Sequence, residues 1–544
     1  MIEKYVVGVD FGSDSARAIV INAADGSMIG QGISEYPRWK KGLYQHPETS
    51  KFRQHPLDYL EALNDSVKKA LMFLDNSQKK NICGIGVDTT GSTPAPVNQE
   101  GIPLALLPEF ADCEDAMFHL WKDHSASQEA IEIQKIFSEN SRCDYTQYQG
   151  TYCSEWFWAK ILHTVRENKK IRKASYTWEE HCDWIVGVLC GESRPEKIYH
   201  SSCAAGHKAL WHSKWNGLPD EQCLEKLDPY LVQVARRYGK NPAPAGTYVG
   251  KLEKKWAENW GISENIVVAG SSFDAHAGAV GAGISLKRMI CTIGTSAVDM
   301  LVEKAENLRN KRLVRLCGQA EDSILPGYIG IETGQAAFGD VFAWFKRLLT
   351  WSVKQYDIDS STLEKIDDTI LERLSKEAQD LPEEPFPITV DWFNGRRYPD
   401  TDDFAKATIS NLSLGVTAPM LYRSLVFGTV CGLKQIVEGL EKEKIEINDV
   451  VAVGGIAHKS PYVMQMIADV LQKEVETVDS KQTCAQGAAI YAALAAKIYP
   501  DMECAIRHMS ARKNIRYYPD STKHAFYERK YNEYQNLIMK MKNL

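Results

Sequence analysis

The chain has 544 residues, of which 44% are hydrophobic and 25% charged, and a formal net charge of −7. That length exceeds one ordinary core and implies two or more domains, and the acidic balance argues against a general nucleic-acid binder. No apolar run approaches the roughly 18 residues of a membrane span, and Met1–Tyr5 leads into a strand-like run without the tripartite order of a signal peptide, so a cytoplasmic protein without a membrane partner is expected.

In chain order, Tyr5–Asp10 is an apolar strand, Phe11–Ser15 a polar turn and Ala16–Asn22 a second strand. Ile82–Val87 is a strand ending at Asp88-Thr89-Thr90-Gly91, and Ile266–Gly270 runs into Ser271-Ser272-Phe273-Asp274. The opening pattern then returns about 280 residues on: Arg288–Ile293, the turn Gly294-Thr295-Ser296, and Ala297–Val302. Two hairpins with small polar tips suggest two related domains, although any long α/β protein contains such hairpins. Ala336–Leu349 has helical apolar spacing, 351–385 is polar, acidic and helix-prone, and Val450–Val453 is a strand closed by Gly454-Gly455. Gln486–Lys497 is an Ala-rich helix, and the last forty residues read as a surface helix of mixed charge. The thirteen cysteines include no Cys-x-x-Cys pair and match no zinc spacing, so reduced thiols are expected.

The polar residues cluster where strands end, which is where open α/β sheets bind ligands. Gly12, Ser13 and Asp14 form a tight turn whose backbone N–H groups suit phosphate, and Asp10 before it suits a magnesium ion. An ordinary polar hairpin has the same look, but Gly294, Thr295 and Ser296 offer a second such tip, and two facing tips would clamp a triphosphate. Gly454 and Gly455 would let a flat ring pack on the backbone, or simply precede a helix. Asp274 suits a general base taking a proton from an alcohol, or a helix N-cap. His276 behind it reads as a packed histidine. Lys208 and Glu332 suit polyol hydroxyls, or are surface charges. Several tryptophans fall between Trp121 and Trp215 and would offer an aromatic face to sugar C–H bonds, or pack the core. Arg396 and Arg397 suit a phosphate contact or a stabilising ion pair.

Together these segments resemble the FGGY family of carbohydrate kinases over essentially the whole chain. Val9–Arg17 is similar to its first phosphate motif, Thr292–Ser296 to its second, Val453–Ala457 to its adenosine motif and Phe273–His276 to its catalytic aspartate segment. Gly86–Pro94, Leu120–His124, Ser154–Lys160, Ala205–Trp211 and Asp391–Arg397 resemble the branch that phosphorylates L-ribulose. The resemblance implies an α/β fold of two actin-like, ribonuclease H-like domains with an interdomain cleft. It implies an N-terminal domain over 1–284, a C-terminal domain over 285–500 and a helical tail over 501–544. It further implies ATP and Mg2+, a homodimer, and transfer to O5 of L-ribulose in arabinose catabolism, with Asp274 as base. Lys208, Asp274 and Glu332 are then expected on the sugar, with Gly91 and Trp121 near it, and Gly334 and Gln335 in the nucleotide cleft. Where relatives carry an asparagine after Gly454-Gly455, this chain has Ser460, a departure that leaves the nucleotide contact there open.

The competing expectations are a kinase for another pentulose or polyol, such as xylulose, ribitol or glycerol; an actin-like nucleotide switch without sugar chemistry; and a sugar-binding regulator that has lost catalysis. Asp10 and Asp274 argue against the regulator, and Lys208 and Glu332 beside Asp274 argue against the switch.

Overall fold

The computed structural model describes residues 3–239, 241–308, 311–313, 318–402 and 404–541; the end of the expected tail and Cys317 lie outside them. Two sheets of seven strands each organise the chain. The first contains β1 (Tyr5–Phe11), β2 (Ser15–Asn22), β3 (Met28–Glu35), β4 (Ile82–Thr89), β5 (Tyr248–Lys251), β6 (Val267–Ala269) and β7 (Ser272–Phe273). The second contains β8 (Arg288–Ile293), β9 (Ala297–Lys304), β10 (Gly318–Glu321), β11 (Tyr328–Gln335), β12 (Asp449–Val453), β13 (Glu474–Val478) and β14 (Lys513–Tyr517).

The sheets repeat one plan. In the first, β3, β2 and β1 form an antiparallel meander and β1 then pairs parallel with β4, which pairs parallel with β6. In the second, β11, β9 and β8 pair antiparallel in the same order, with β10 added outside β11, and β8 pairs parallel with β12, which pairs parallel with β13. The two Gly-bearing turns therefore occupy equivalent places, and the duplication suggested by the hairpins extends to whole sheets. All described cysteines are free thiols, and no helix among the described residues is long and apolar enough to cross a membrane.

Ten helices matter for the site and its support. They are α1 (Pro56–Leu71), α2 (Phe157–Glu167), α3 (Ser202–His207), α4 (Asp274–Gly281), α5 (Gly339–Thr350), α6 (Ser360–Gln379), α7 (Ala418–Lys442), α8 (Gly455–Lys459), α9 (Thr483–Ala495) and α10 (His524–Met541). Helices α4 and α9 lie side by side between the sheets, where Ala277, Val280, Ala485 and Ala489 share a core with Ile290, Val451 and Val453. Their contact is backbone to backbone: a Cβ on Gly487 would stand 1.8 Å from the Ala277 carbonyl oxygen, and one on Gly281 1.9 Å from that of Thr483. Small residues are required here because any side chain would force the helices apart.

Two expectations change. The chain beyond residue 500 is not only a tail, since β14 pairs antiparallel with β13 at the edge of the second sheet. Its last helix is not a surface element either: Tyr531, Tyr534 and Ile538 recur at helical spacing and are buried in the core of the second half. By contrast, α6 within 351–385 is peripheral, burying only Leu374 and Ala378, with Asp359 as its N-cap.

Candidate active site

The β1–β2 turn is held from behind. Gly12 N–H donates to the Ser15 carbonyl at 3.0 Å, Gln54 Nε2 to the Ser13 carbonyl at 2.6 Å and Trp121 Nε1 to Ser13 Oγ at 2.9 Å. Trp121 thus braces the first turn. The β8–β9 turn is tied to the start of α5, whose Phe338 and Asp340 N–H groups donate to the Thr295 carbonyl at 2.8 and 3.1 Å. Gly294 and Thr295 are exposed at its tip, with Ser296 half-buried. Gly454 has φ +96°, and a Cβ there would meet the Ile293 carbonyl oxygen at 2.6 Å, whereas a Cβ on Gly455 would meet nothing within 4 Å. A strand end with an open backbone face fits a planar ring. Gly334 approaches Ala297 closely, and the Gln335 side chain is turned inward, donating to Asp391 Oδ2 and to the Thr429 carbonyl, both at 2.8 Å. Ser460 uses its hydroxyl to cap the helix Pro461–Leu471, accepting from Val463 N–H.

Asp274 is the first residue of α4 and not its cap, a place taken by Phe273. Its Oδ1 accepts from the Ala275 N–H at 2.7 Å. Burial, then the charge of Asp10, pushes its carboxyl up to about 7 against the lowering effect of that hydrogen bond. The fold thus leaves a carboxyl of ordinary sequence appearance poised near neutrality.

Lys208 follows α3 in the first half, and Glu332 lies on β11 in the second; Lys208 Nζ stands 3.5 Å from Glu332 Oε1. The buried imidazoles of His207 and His276 flank Glu332 Oε2 at 3.9 and 3.7 Å. Burial alone would raise Glu332, but the surrounding positive charge, Lys208 first, holds it at about 2. Burial keeps both imidazoles neutral near pH 7, His276 at about 4, so the Lys208 ammonium carries the compensating charge. That ammonium also lies over the Trp156 and Phe273 rings, 5.2 and 5.9 Å from their centroids. Gly91 is what admits Phe273, since a Cβ there would overlap the ring at 1.9 Å. Arg397 adds positive charge toward Glu332, while Arg396 is occupied with the Trp392 ring and with Asp400 and Asp402.

Four participants had no assigned role in the sequence. Asp88, at the end of β4, stands in register with Asp10 across the parallel β1–β4 pair. It is fully buried, and neither oxygen accepts a hydrogen bond from any described donor. Asp10 is also buried and is met by the Arg17 guanidinium at 3.2 Å. An orphaned carboxylate beside a second one is a donor set that fits a hard divalent cation. Lys160, on α2, donates to the carbonyls of Ser92, His119 and Leu120, while Glu180 accepts from the Ser92 hydroxyl and the Thr93 N–H; together they fix the loop bearing Gly91. His207 is the fourth. The signal available for Lys160 was a lysine inside the apolar run Phe157–Leu162, and for Asp88 an acid closing an apolar strand.

Comparison with known proteins identifies the family. Residues 5–281 match the N-terminal domain of the FGGY family of carbohydrate kinases, and 289–496 match its C-terminal domain. The chain is 39% identical to a ribulokinase of Vibrio parahaemolyticus, with 100% of this chain and 97% of that one aligned. It is 32% identical to a ribulokinase of Halalkalibacterium halodurans, with 99% and 95% aligned. The fold matches a xylulose kinase from Rhodospirillum rubrum with a TM-score of 0.80 at 18% identity, covering 99% of each chain. It also matches a glycerol kinase of Plasmodium falciparum solved with ADP, with a TM-score of 0.75 at 16% identity, covering 98% and 97%. With both family domains matched in order along the chain that carries these turns and this acid–lysine cluster, the protein belongs to the FGGY family of carbohydrate kinases.

Proposed function

We propose that the protein transfers the γ-phosphoryl group of ATP to O5 of L-ribulose, giving L-ribulose 5-phosphate and ADP, a step of arabinose breakdown. The observation that carries this reading is the convergence of buried Lys208 with half-buried Asp274 and Glu332, from separate elements of the two halves, into one cluster. The full-length likeness to ribulokinases supports the choice of sugar.

Lys208 and Glu332 bind sugar hydroxyls and orient O5, with Gly91 and Trp121 on the same side of the cleft. Asp274 takes the O5 proton as the O5–phosphorus bond forms and the bond to the β,γ-bridging oxygen breaks, leaving ADP. Little covalent chemistry is asked of the protein, whose work is positioning and charge neutralisation. The N–H groups of Ser13 and Asp14 in the first turn and of Thr295 and Ser296 in the second hold the phosphates, since those of Gly12 and Gly294 close the turns themselves, and Gly454 and Gly455 pack the base. Magnesium, held on the Asp10 side, neutralises phosphate charge when bound. Closure of the two halves, divided between residues 284 and 285, keeps water from O5's place.

The test is ADP release from MgATP by purified protein with L-ribulose, xylulose, ribitol and glycerol in parallel, with the product identified by 31P NMR. Fastest release with L-ribulose and a 5-phosphate product supports the reading. Release with another polyol alone overturns the substrate and keeps the kinase. Sugar-independent release favours a nucleotide switch.

A further inference from the structure

We propose that Asp88 is a second carboxylate of the metal site, joining Asp10 in holding the divalent cation that accompanies ATP. The proposal rests on the kinase reading above, which supplies the nucleotide and its cation.

The placement follows from the strands. Residues of one face alternate, so Gly8 and Asp10 on β1 face the same way as Gly86 and Asp88 on β4. Both faces look toward α9: a Cβ on Gly8 would meet the Ala485 carbonyl oxygen at 1.9 Å, and one on Gly86 that of Ala488 at 2.1 Å. Gly84 lies against Ala492 and Gly86 against Ala488, so the helix runs opposite to the strand. Asp88 therefore reaches the N-terminal turn of α9, and the ligand atoms of Asp10, Asp88 and Cys484 lie within 4.8 Å of one another.

No ordinary structural role accounts for Asp88. Among the described residues it caps no helix and forms no ion pair, no amide, hydroxyl or cation donates to either buried oxygen, and the one group within hydrogen-bonding reach is the Asp10 carboxyl. Its close polar neighbours are another carboxylate and a thiol. Arg17 meets Asp10 at 3.2 Å and Asp14 at 3.6 Å, so one guanidinium serves those two acids while Asp88 and Asp274 add further acidic groups. The ionised form of a carboxyl in a water-excluded place is disfavoured unless a counter-charge meets it. A hard cation supplies that counter-charge. Magnesium fits, because it takes one or two protein carboxylates and completes its shell with phosphate and water. The Cys484 thiol is too soft to contribute to such a shell. The rival account is a proton shared between the two carboxyls, with the metal held by Asp10 alone.

The experiment titrates Mn2+ into the full-length protein with ADP bound, reading free Mn2+ by EPR, and measures ADP affinity separately in EDTA. Asp88→Asn keeps the shape and removes the charge; Asp88→Ser is the second variant, and thermal unfolding confirms that each is folded. The expected result is a loss of Mn2+ affinity of about 10–100-fold in both variants, with metal-free ADP affinity unchanged. Unchanged Mn2+ affinity in a folded variant overturns the proposal and favours the shared proton. A wild type that binds Mn2+ with ADP but, given MgATP and the sugars in the assay above, forms no sugar-dependent ADP overturns the kinase reading instead, so the two failures are distinct.

Discussion

Lys208 Nζ and Glu332 Oε1 meet at 3.5 Å across the two halves of the chain, each in a site that burial makes costly for a lone charge. Removing one partner strands the other, at about 3–5 kcal/mol for a buried pair. Lys208→Met and Glu332→Gln should each lower thermal stability and raise KM for L-ribulose. The double variant should recover much of the stability but none of the sugar affinity. Recovery of both together would make the pair a structural tie with no part in sugar binding. Differential scanning calorimetry and steady-state kinetics on the three variants decide it.

Asp274 gives opposite pH signatures for rate and stability. A base acts only when ionised, so with its carboxyl at about 7 kcat/KM should rise through neutral pH and sit roughly tenfold below its plateau one unit beneath that value. For stability, a carboxyl raised above its unfolded value contributes favourably at low pH, and the contribution is lost as pH rises through about 7. Asp274→Asn should therefore unfold at a higher temperature than wild type near pH 8, with no gain near pH 4. Equal midpoints across the range would mean that Asp274 is not held in a raised state.

Gly454 and Gly455 should separate by phenotype. Gly454→Ala meets the Ile293 carbonyl and a left-handed backbone, so it should lower stability. Gly455→Val projects into open space, so it should leave the unfolding midpoint unchanged and raise KM for ATP severalfold by filling the place of the base. An unchanged KM for ATP in Gly455→Val would remove the base from this strand end.

Much of this was legible because backbone rules are local. An apolar strand, a turn of Gly and Ser and a second strand announce a hairpin, and both hairpins stand where the spacing put them. Asp274, Lys208 and Glu332 carried no local sign of their state: each had a commonplace alternative, and only packing gives Asp274 its raised carboxyl and Glu332 its lowered one. Asp88 was hidden for another reason. Its meaning depends on the register of β4 against β1, a relation between strands some eighty residues apart. The C-terminal helix was misread because mixed charge on its outer face masked a buried stripe of tyrosines.

That stripe is tied to the second sheet through Asp391. Tyr534 OH donates to Asp391 Oδ1 at 3.0 Å, and Asp391 accepts through its other oxygen from Gln335 at the end of β11. Tyr534→Phe removes one buried hydrogen bond, worth about 1 kcal/mol, and leaves Asp391 with one fewer donor. Hydrogen exchange at Ile331–Gln335 should quicken in that variant. Unaltered protection there would confine the last helix to its own core.

The central claim is that Asp274 is the base for phosphoryl transfer to a bound sugar, and the most direct measurement is kcat of Asp274→Asn alongside its L-ribulose affinity by calorimetry. The account predicts a fall in kcat of about 10²–10⁴-fold with sugar affinity nearly unchanged. A kcat within about threefold of wild type, far short of what loss of a general base costs, would contradict it.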